Sequence, residues 1–504
     1  MSGLTTIGKA LTNVVGYAID RPRWAVVLVP STAGAAPQLL TTVENFETEK
    51  DDTGNAGTFH FEMPLAANQE VATFISPMDL IAIYAARNST TYGAQAGSQQ
   101  GIPVSGSFQS IQPPDLSDLA WSSSNATTTW QLGYPTSCLM IGMIDGHDES
   151  MDEESGVATM TVWGRDLTKI FIENDLAIPQ MNVGSTSFLQ TAQLTINKAE
   201  SGTQLLNNIL DAFCAKNPAA IAAITGGTIT GLIQDFAQYG FPWRNFVRTD
   251  ALVPGFETFA PGVQPNYATA SGGSTWLNCQ SLKNEPLYRL FVNEIGQLIF
   301  DSAFPAWGFT PVDGSSTTPQ APGAVITQDQ MRKRKWERDD SGLKTCMSIL
   351  LAQAVGGTST VLQGMQIAAI RNNLPSLIQQ FGFRYFEFTS LFDPITTDAS
   401  YLNATRLPVL LADANDLWRG EITVKGDPIY RVGMRVLLKG IRTAHPDLGL
   451  MNTPQGMGWY VTKVTHRAGW GSDYSTDLSL RFSSASLQTA APTTTVSGNP
   501  TSVT

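Results

Sequence analysis

The chain has 504 residues, 15% of them charged against about 25% in an ordinary globular domain, and a formal net charge of −12. This length predicts roughly three or four domains, and the negative charge argues against general attraction to nucleic acid or to an anionic membrane. The four cysteines have no metal-type spacing and lie among apolar neighbours, which predicts buried free thiols: Cys138, Cys214, Cys279 and Cys346.

The N-terminal segment gives no sign of export or membrane insertion. Residues 1–20 carry one lysine and no continuous apolar run, so they predict a weakly amphipathic helix and not a secretory signal. No stretch approaches the roughly 18 consecutive apolar residues that a membrane-spanning helix requires. We therefore expect a protein that folds in a cytoplasm and has no membrane-spanning segment.

The first elements predicted along the chain are mostly strands. Residues 24–29 (WAVVLV) form an apolar run between two prolines, and residues 41–64 predict a hairpin with an Asp/Gly/Asn-rich turn. Residues 88–136 contain only two charged side chains and predict a long loop insertion, partly ordered by its aromatic residues. Residues 166–174 (DLTKIFIEN) predict a short helix.

The middle of the chain mixes helix and strand signals. Residues 201–216 carry a capping box and one apolar face, which predicts a helix. Residues 287–300 predict a hairpin that turns at residues 294–296, and residues 304–323 predict a Pro/Gly-rich linker. We expect the segment QMRKRKWERDDSG to be a polar lead into a strand that begins at Leu343.

One β pattern occurs twice. The late copy consists of residues 421–425, a break at Gly-Asp-Pro, residues 430–439 and a hairpin over 458–482. The early copy has the same order and consists of residues 58–63, residues 78–87 and a hairpin over 137–166. Both hairpins join two alternating apolar strands through a charged turn. The repetition predicts two similar small β-barrels in one chain.

Candidate sites for chemistry are weak. The turn Asp145-Gly146-His147-Asp148-Glu149, followed by acidic residues 152–154, lacks the ligand spacing of a calcium loop, so a solvated hairpin tip is favoured over a cation site. His466 lies at the corresponding place in the second hairpin and has no ligand partner in sequence, which favours a surface residue at a strand end. We predict no catalytic, cofactor-binding or metal-binding residue, and no cofactor.

The last two candidates are a turn and a basic cluster, which consists of Arg332, Lys333, Arg334, Lys335 and Arg338. The cluster is followed directly by acidic residues, which favours an exposed, ion-paired segment, with a partner contact as the alternative. Asp427 and Pro428 are explained by turn chemistry. No nucleophile-elbow, zinc-protease, phosphate-loop or dinucleotide motif is found in the sequence.

Four stretches carry a resemblance to a known family. They are residues 156–171 (GVATMTVWGRDLTKIF), 326–351, 382–390 (GFRYFEFTS) and 418–482. In this order they resemble the baseplate hub, or tail hub, proteins of tailed bacteriophages, which are related to the head part of VgrG spike proteins in type VI secretion. The insertion at 88–136 matches no part of that pattern.

The resemblance implies a fold that is mainly β, with two tube-type barrels and an α+β middle region inserted between them. The division it implies is an N-terminal segment at 1–20, a first barrel at 21–176 containing the 88–136 insertion, a middle region at 177–380, a second barrel at 381–486 and a Thr/Pro/Ser tail at 487–504.

The resemblance also implies a role. Three chains with two barrels each would form a pseudo-six-fold ring that adapts a hexameric tail tube to a trimeric central spike, with other baseplate proteins as neighbours and DNA only as passing cargo. The expected location is the virion tail baseplate, after assembly in the host cytoplasm. Two alternatives remain open: another virion structural component such as a tube, collar or adhesin, and a tail-associated cell-wall hydrolase.

Overall fold

The computed structural model of the chain describes residues 22–30, 38–40, 43–65, 75–77, 79–87, 138–151, 158–173, 248–249, 274–281, 288–294, 296, 298–302, 324–344, 346–349, 366–369, 381–382, 384–388, 417–441, 457–470 and 472–482. The predictions made for residues 1–20, 88–136, 201–216 and 487–504 lie outside these residues.

The N-terminal part forms strands and one short helix, which we call the first unit. The predicted first strand, first hairpin and short helix are confirmed. Inward-facing Phe59, Phe61 and Met63 alternate with more exposed residues, as expected for a strand with one face on a core. The elements are β1 Pro22–Val29, β2 Gln38–Leu40, β3 Asn45–Asp51, β4 Thr58–Pro64, β5 Leu80–Arg87, β6 Cys138–Met151, β7 Ala158–Asp166 and helix α1 Thr168–Glu173.

The rest of the described chain is also mainly strand, so the prediction of a mainly β fold is confirmed. The hairpin predicted at 287–300 is present, and Gly296 in its turn has a φ of 80°, a conformation that favours glycine. The elements are β8 Arg248–Thr249, α2 Thr275–Ser281, β9 Tyr288–Val292, β10 Leu298–Ser302, β11 Ala324–Thr327, a 3₁₀ turn Gln328–Gln330, β12 Met331–Arg338, β13 Cys346–Ile349, β14 Gln366–Ala369, β15 Tyr385–Phe388, β16 Trp418–Lys425, β17 Arg435–Lys439, β18 Met457–Gly469 and β19 Ser472–Phe482.

The prediction for the segment before Leu343 was wrong. Met331–Arg338, expected as a polar lead, is the strand β12, which pairs antiparallel with β16. The strand expected from Leu343 begins at Cys346. The polarity of β12 misled the prediction because an edge strand with one exposed face does not need the apolar alternation of a central strand.

Strands β11, β12 and β16–β19 form what we call the second unit. Its hydrogen-bonded order is β12-β16-β19-β18-β17-β11, and the order in the first unit is β3-β4-β7-β6-β5-β1. The two orders correspond strand by strand. One difference is that β1 pairs antiparallel with β5, whereas β11 pairs parallel with β17. Because β11 and β12 come from residues 324–338, the sheet of the second unit includes strands from the segment assigned by sequence to the middle region.

The two hairpins share an irregularity in register. In β6/β7 one extra residue, Asp145, bulges between paired neighbours, and in β18/β19 the extra residue is Thr462. Counting from the two bulges defines equivalent positions in the two units. By this count Phe59 corresponds to Gly420, Gly142 to Trp459, Gly164 to Leu480, Asp166 to Phe482, residues 45–51 to 333–339, and residues 146–151 to 463–468.

The units are joined through their backbones. β3 of the first unit pairs antiparallel with β18 of the second, so that both belong to one sheet of thirteen strands among the described residues. Two smaller three-stranded sheets, β8-β10-β9 and β14-β13-β15, come from the middle of the chain. No helix in the described part of the chain is long and apolar enough to cross a membrane.

Candidate assembly interface

The junction between the two units is the feature with the clearest functional meaning, and we call it the seam. It consists of residues 45–51 of β3 and 463–469 of β18, which pair residue by residue from Asn45 opposite Gly469 to Asp51 opposite Lys463. Edge strands of a sheet offer unpaired backbone groups, so two similar units can be joined by this pairing alone. The seam is therefore a direct strand-to-strand junction between the first and the second unit.

Ion pairs line the exposed face of the seam. Lys463 Nζ lies 2.6 Å from Glu49 Oε1, and Arg467 Nε lies 2.5 Å from Glu47 Oε2. The β3 side carries the carboxylates and the β18 side carries the cations. Such exposed pairs contribute about 1 kcal/mol or less each, so their main effect is on strand choice and register.

The opposite face of the seam is buried, and it is apolar at the end where Phe46 pairs with Ala468. Phe46 of β3 is 2% exposed, and its ring lies 6.4 Å from that of Tyr474 on β19. Ala468 is 4% exposed and belongs, like Tyr474, to the same hydrophobic cluster as the core of the first unit. The core thus runs across the seam, and the two units share buried surface as well as backbone hydrogen bonds.

A chain of polar side chains, in which Tyr460 and Arg289 are buried and Asp52 is half-buried, closes the end of the seam. The Tyr460 hydroxyl donates to Asp52 Oδ2 at 2.6 Å, and Arg289 Nη1 donates to Tyr460 Oη at 3.1 Å and to the Gly433 carbonyl at 2.8 Å. Burial raises the pKa of Asp52 to about 6, although Tyr460 and nearby arginines act against this rise. Burial also raises the pKa of Tyr460 above its usual value. The hydroxyl therefore remains a proton donor at neutral pH.

The β9–β10 hairpin contacts residues of both units. Lys50 Nζ, 5% exposed, donates to Asp166 Oδ2 at 2.9 Å and to the Val292 carbonyl at 3.0 Å. In the next turn Glu294 forms a buried pair with Arg431 at 3.2 Å. Lys50 and Asp166 belong to the first unit and Arg431 lies beside the second, so this hairpin fixes one unit against the other.

His466 is not the surface residue that the sequence predicted. It is 3% exposed, its Nε2 faces the Tyr430 carbonyl at 3.3 Å, and its Nδ1 lies 2.9 Å from Tyr474 Oη and 3.0 Å from Thr476 Oγ1. A carbonyl oxygen only accepts hydrogen bonds, so the proton is on Nε2 and Nδ1 accepts hydrogen bonds from the two hydroxyl groups. Burial lowers the pKa of His466 to about 3. The imidazole is a neutral, structural member of the second core.

The acidic turn is part of a strand. Asp145 contacts Arg165 at 2.7 Å and Lys169 at 2.8 Å. Partial burial acts to raise the pKa of Asp145, but the hydrogen bonds from Arg165 and Lys169 outweigh it and hold the pKa below its usual value. The following residues, 146–151, continue β6 instead of forming a tip at residue 145. Among the residues that the structure describes, no three potential ligands come together to hold a metal ion.

The basic cluster lies along β12. Arg332 forms an ion pair with Asp473, and Arg338 lies over the ring of Trp418, 5.6 Å from its centroid. Lys335 is 65% exposed, with Glu337 at 3.6 Å and Glu421 at 3.9 Å. The cluster is therefore exposed and partly ion-paired, as predicted, but it forms the edge of a sheet.

Two smaller predictions are confirmed. Asp427 Oδ1 accepts a hydrogen bond from the Ile429 amide at 2.9 Å, which is the turn chemistry expected beside Pro428. Cys138 and Cys279 are buried free thiols; the described structure does not extend to the side chains of Cys214 and Cys346.

The buried residues of the seam were missed by the sequence analysis. Lys50 follows Phe46 and Thr48 on the inward face of β3, so the period-two count places its ammonium group inside the protein. A lysine on an inward face needs a buried carboxylate or carbonyl partner, and this signal could have been noticed. Its particular partner Asp166, 116 residues away in sequence, could not.

Solved structures similar to this chain are tail proteins and secretion-system proteins. A tail protein from Neisseria meningitidis MC58 has a TM-score of 0.47 at 12% identity, over 92% of this chain and 99% of that one. The 43 kDa tail protein of prophage MuSo2 from Shewanella oneidensis has a TM-score of 0.46 at 13% identity, over 92% and 98%.

A third similar structure is an Escherichia coli protein described as a component of the type VI secretion system with similarity to the phage T4 tail proteins gp27 and gp5. Its TM-score is 0.37 at 10% identity, over 88% of this chain and 74% of that one. No family model and no curated protein matches the sequence. Each of the three structures is thus described as a tail protein or as a component of the type VI secretion system.

Proposed function

We propose that the chain is the structural hub of a bacteriophage tail or of a related injection device. Three copies form a ring of six similar units, which adapts a hexameric tail tube to a trimeric central spike. The observation that carries the proposal is the seam, at which two units with the same strand order are joined side by side in one sheet.

The symmetry argument follows from this joint. A head-to-tail contact between similar units generates a ring when the rotation per unit closes. The seam relates two units within one chain, and the same relation repeated between chains continues the ring by two units for each copy. Three copies give six units, which suits a six-fold tube on one face.

The middle of the chain supports the three-fold side of the proposal. Its β9–β10 hairpin is present once per chain and docks behind the seam through Lys50, Arg289 and Glu294. In a ring of three chains such a feature occurs three times and not six. The face that carries it is suited to a trimeric spike and to other baseplate proteins.

The proposed ring surrounds a channel through which DNA passes without being held. Lysine and arginine on a channel wall would bind phosphates through counterion release, so we propose a neutral or acidic wall. The net charge of −12 is compatible with such a wall. The ring would be assembled in the host cytoplasm and carried in the virion tail.

We propose no catalytic role. Buried ionisable side chains in and around the seam are paired with one another, as in Lys50 with Asp166 and Arg431 with Glu294. A glycosidase would need two carboxyl groups facing each other across a cleft. A zymogram that shows peptidoglycan clearing by the purified chain, lost on replacing one carboxylate, would support the hydrolase alternative instead.

The mass of the purified full chain under native conditions tests the proposal. We expect a trimer, alone and in complex with the matching spike protein, and binding of the tube protein to one face only. A stable hexamer would favour a tube component, and a monomer at micromolar concentration would favour an adhesin or an enzyme. Either result would contradict the proposed ring of three chains.

A further inference from the structure

The seam contains two strands, and each has an equivalent in the other unit. Counting from the hairpin bulges makes β12 the equivalent of β3, with Lys333 at the place of Asn45 and Lys335 at the place of Glu47. Residues 146–151 of β6 are by the same count the equivalents of 463–468 of β18. A chain therefore carries the parts of a second seam, one part on each unit.

Both parts are open edges among the strands that the structure describes. β12 lies at one end of the sheet order and pairs with β16 alone. On β6 the pairing with β5 ends at Met143, so residues 146–151 pair only with β7. Met151 is 69% exposed, whereas its equivalent Ala468, covered by β3, is 4% exposed. Met151 is thus an exposed apolar side chain at a position whose equivalent in the seam is buried.

The net charges of the second pair of edges are reversed relative to the seam, although the equivalent of Glu49 is again acidic, Glu337. In the seam the β3 edge is acidic, with Glu47 and Glu49, and the β18 edge is basic, with Lys463 and Arg467. In the open pair the equivalent of β3 is basic and the equivalent of β18 is acidic. The open edges carry Arg334 and Lys335 on β12, and Asp148 and Glu149 on β6.

We propose that β12 of one copy pairs antiparallel with residues 146–151 of β6 in the next copy, in the register of the seam. This contact rests on the proposed ring and names the surfaces that close it. In that register Lys335 lies opposite Ser150 and Arg334 lies opposite Met151. The diagonal neighbours are then Lys335 with Asp148 and Arg334 with Glu149, one pair on each face of the sheet.

The seam itself shows that this diagonal contact is favourable. Lys463 lies opposite Asp51 in register, yet its ammonium group contacts Glu49, two residues along. Glu337 would lie opposite Asp148 of the next copy, and Lys335, already 3.6 Å from Glu337, would stand between the two carboxylates. Lys335, in the middle of the β12 edge, would therefore neutralise both acidic residues.

Reversal of charge also explains how two similar joints remain distinct. If both joints had the same signs, β12 could take the place of β3 on β18 of its own chain. With reversed signs the basic β12 meets a basic β18 edge in that wrong arrangement, and the acidic β3 meets an acidic β6 edge. Like charges at the wrong joint and opposite charges at the right one give a single order of units around the ring.

Cross-linking tests the register. Opposed residues of an antiparallel pair have Cα atoms within about 5.5 Å, which a disulfide can span, and a shift of two residues exceeds that reach. The full chain carrying Lys335→Cys with Ser150→Cys should give covalent dimers and trimers under mild oxidation. The matched control, Lys333→Cys with Ser150→Cys, should stay uncross-linked, as should each single variant.

Charge exchange tests the chemistry without relying on a disulfide. Arg334→Glu with Lys335→Glu should convert the trimer to monomers, and so should Asp148→Lys with Glu149→Lys. All four changes in one chain should restore the trimer, which a folding defect would not allow. Lys439→Glu, on β17 outside both edges, controls for a general effect of charge.

The outcomes separate this contact from the proposed function. A wild-type trimer in which the shifted cysteine pair cross-links as well as the matched one, or in which the four-fold exchange restores nothing, overturns the contact and leaves the trimeric hub standing. A wild-type chain that is not a trimer overturns the hub and this contact together. A trimer with cross-linking confined to the matched pair supports both.

Discussion

The two units have the same strand order and the same hairpin bulge, yet they fill their interiors in opposite ways. In the first unit Phe59 on β4 lies over Gly142 and Gly164. In the second unit the position of Phe59 is Gly420, and the positions of the two glycines are Trp459 and Leu480. Large and small residues have changed places between neighbouring strands. The pattern of strands is therefore retained while residue identity is not.

The polar interiors differ in a way that follows the middle of the chain. The first unit buries Asp166 with Lys50, beside the β9–β10 hairpin, whereas the equivalent of Asp166 in the second unit is Phe482. The second unit instead buries His466, whose equivalent in the first unit is the exposed Glu149. The first unit thus buries an ion pair that also reaches the Val292 carbonyl of the hairpin, and the second unit buries a neutral ring that hydrogen-bonds to the Tyr430 carbonyl.

The largest effect is expected from breaking the ion pair that only the first unit has. Lys50→Met leaves the Asp166 carboxylate buried without its cation, and the Val292 carbonyl loses its donor. We expect a loss of about 3–5 kcal/mol in the free energy of unfolding, measured by urea unfolding of the full chain.

A second variant separates charge from packing at this pair. Lys50→Met with Asp166→Asn removes the uncompensated charge and keeps the oxygen that accepts from the Thr168 amide at the start of α1. The double variant should recover about half of the loss. A double variant as unstable as the single one would show that lost packing of the lysine stem, and not the buried charge, dominates.

The next effect concerns the glycines that admit Phe59. A Cβ at Gly164 would lie 2.1 Å from the Met143 carbonyl oxygen and 2.6 Å from Phe59, and the backbone oxygen cannot move aside without breaking the β6/β7 ladder. Gly164→Ala should cost about 3 kcal/mol. Gly342→Ala, where nothing lies within 4 Å, is the control and should change stability by less than about 0.5 kcal/mol. Equal effects of the two changes would contradict this packing.

Much of this comparison could be predicted from the sequence, for identifiable reasons. Strands such as β4 and β19 could be predicted because apolar residues alternate in them, and the duplicated order could be predicted from the two breaks and hairpins. The edge strand β12 was missed because five of its eight residues are basic, a composition that resembles an exposed loop. Local patterns report a strand's two faces, but they do not report which strand lies beside it.

The proposed interface could likewise be predicted only as far as local sequence patterns reach. The sequence placed an acidic segment in one hairpin and a basic cluster elsewhere, both as surface features. It could not show that Lys335 and Ser150 occupy positions equivalent to Glu47 and Arg467, because this equivalence depends on the register of six strand pairs. His466 was misplaced for the same reason, since only Tyr430 and Tyr474, brought by neighbouring segments, make it an interior residue.

A moderate effect is expected from the glycine of the second unit. A Cβ at Gly420 would lie 2.4 Å from the ring of Trp336, which is a side chain and can shift, unlike the backbone oxygen beside Gly164. Gly420→Ala should therefore cost about 1–2 kcal/mol. In the background of Trp336→Leu the same change should cost less, giving a coupling energy of about 1 kcal/mol in a double-mutant cycle. Strict additivity would show that Gly420 is required for its backbone and not for the room it leaves.

The smallest effect sharpens the comparison through pH. The pKa of His466 is lowered to about 3, so the unfolded chain takes up a proton below about pH 6.5 while the folded chain does not, and stability is lost as the pH falls. The pKa of Asp52 is raised to about 6, so its contribution is present below about pH 3.9 and is lost as the pH rises through 6. Between pH 4 and 6 the two slopes oppose each other.

Asp52→Asn removes one of these slopes. The amide oxygen still accepts from Tyr460, but the side chain no longer binds a proton, so the His466 slope acts alone. Between pH 7 and pH 5 the variant should lose about 1–1.5 kcal/mol more than the wild type in the free energy of unfolding, and His466→Gln added to it should flatten the profile. An unchanged slope in Asp52→Asn would show that the Asp52 carboxyl group is solvated in the folded chain, and that the polar chain at the end of the seam does not hold its proton.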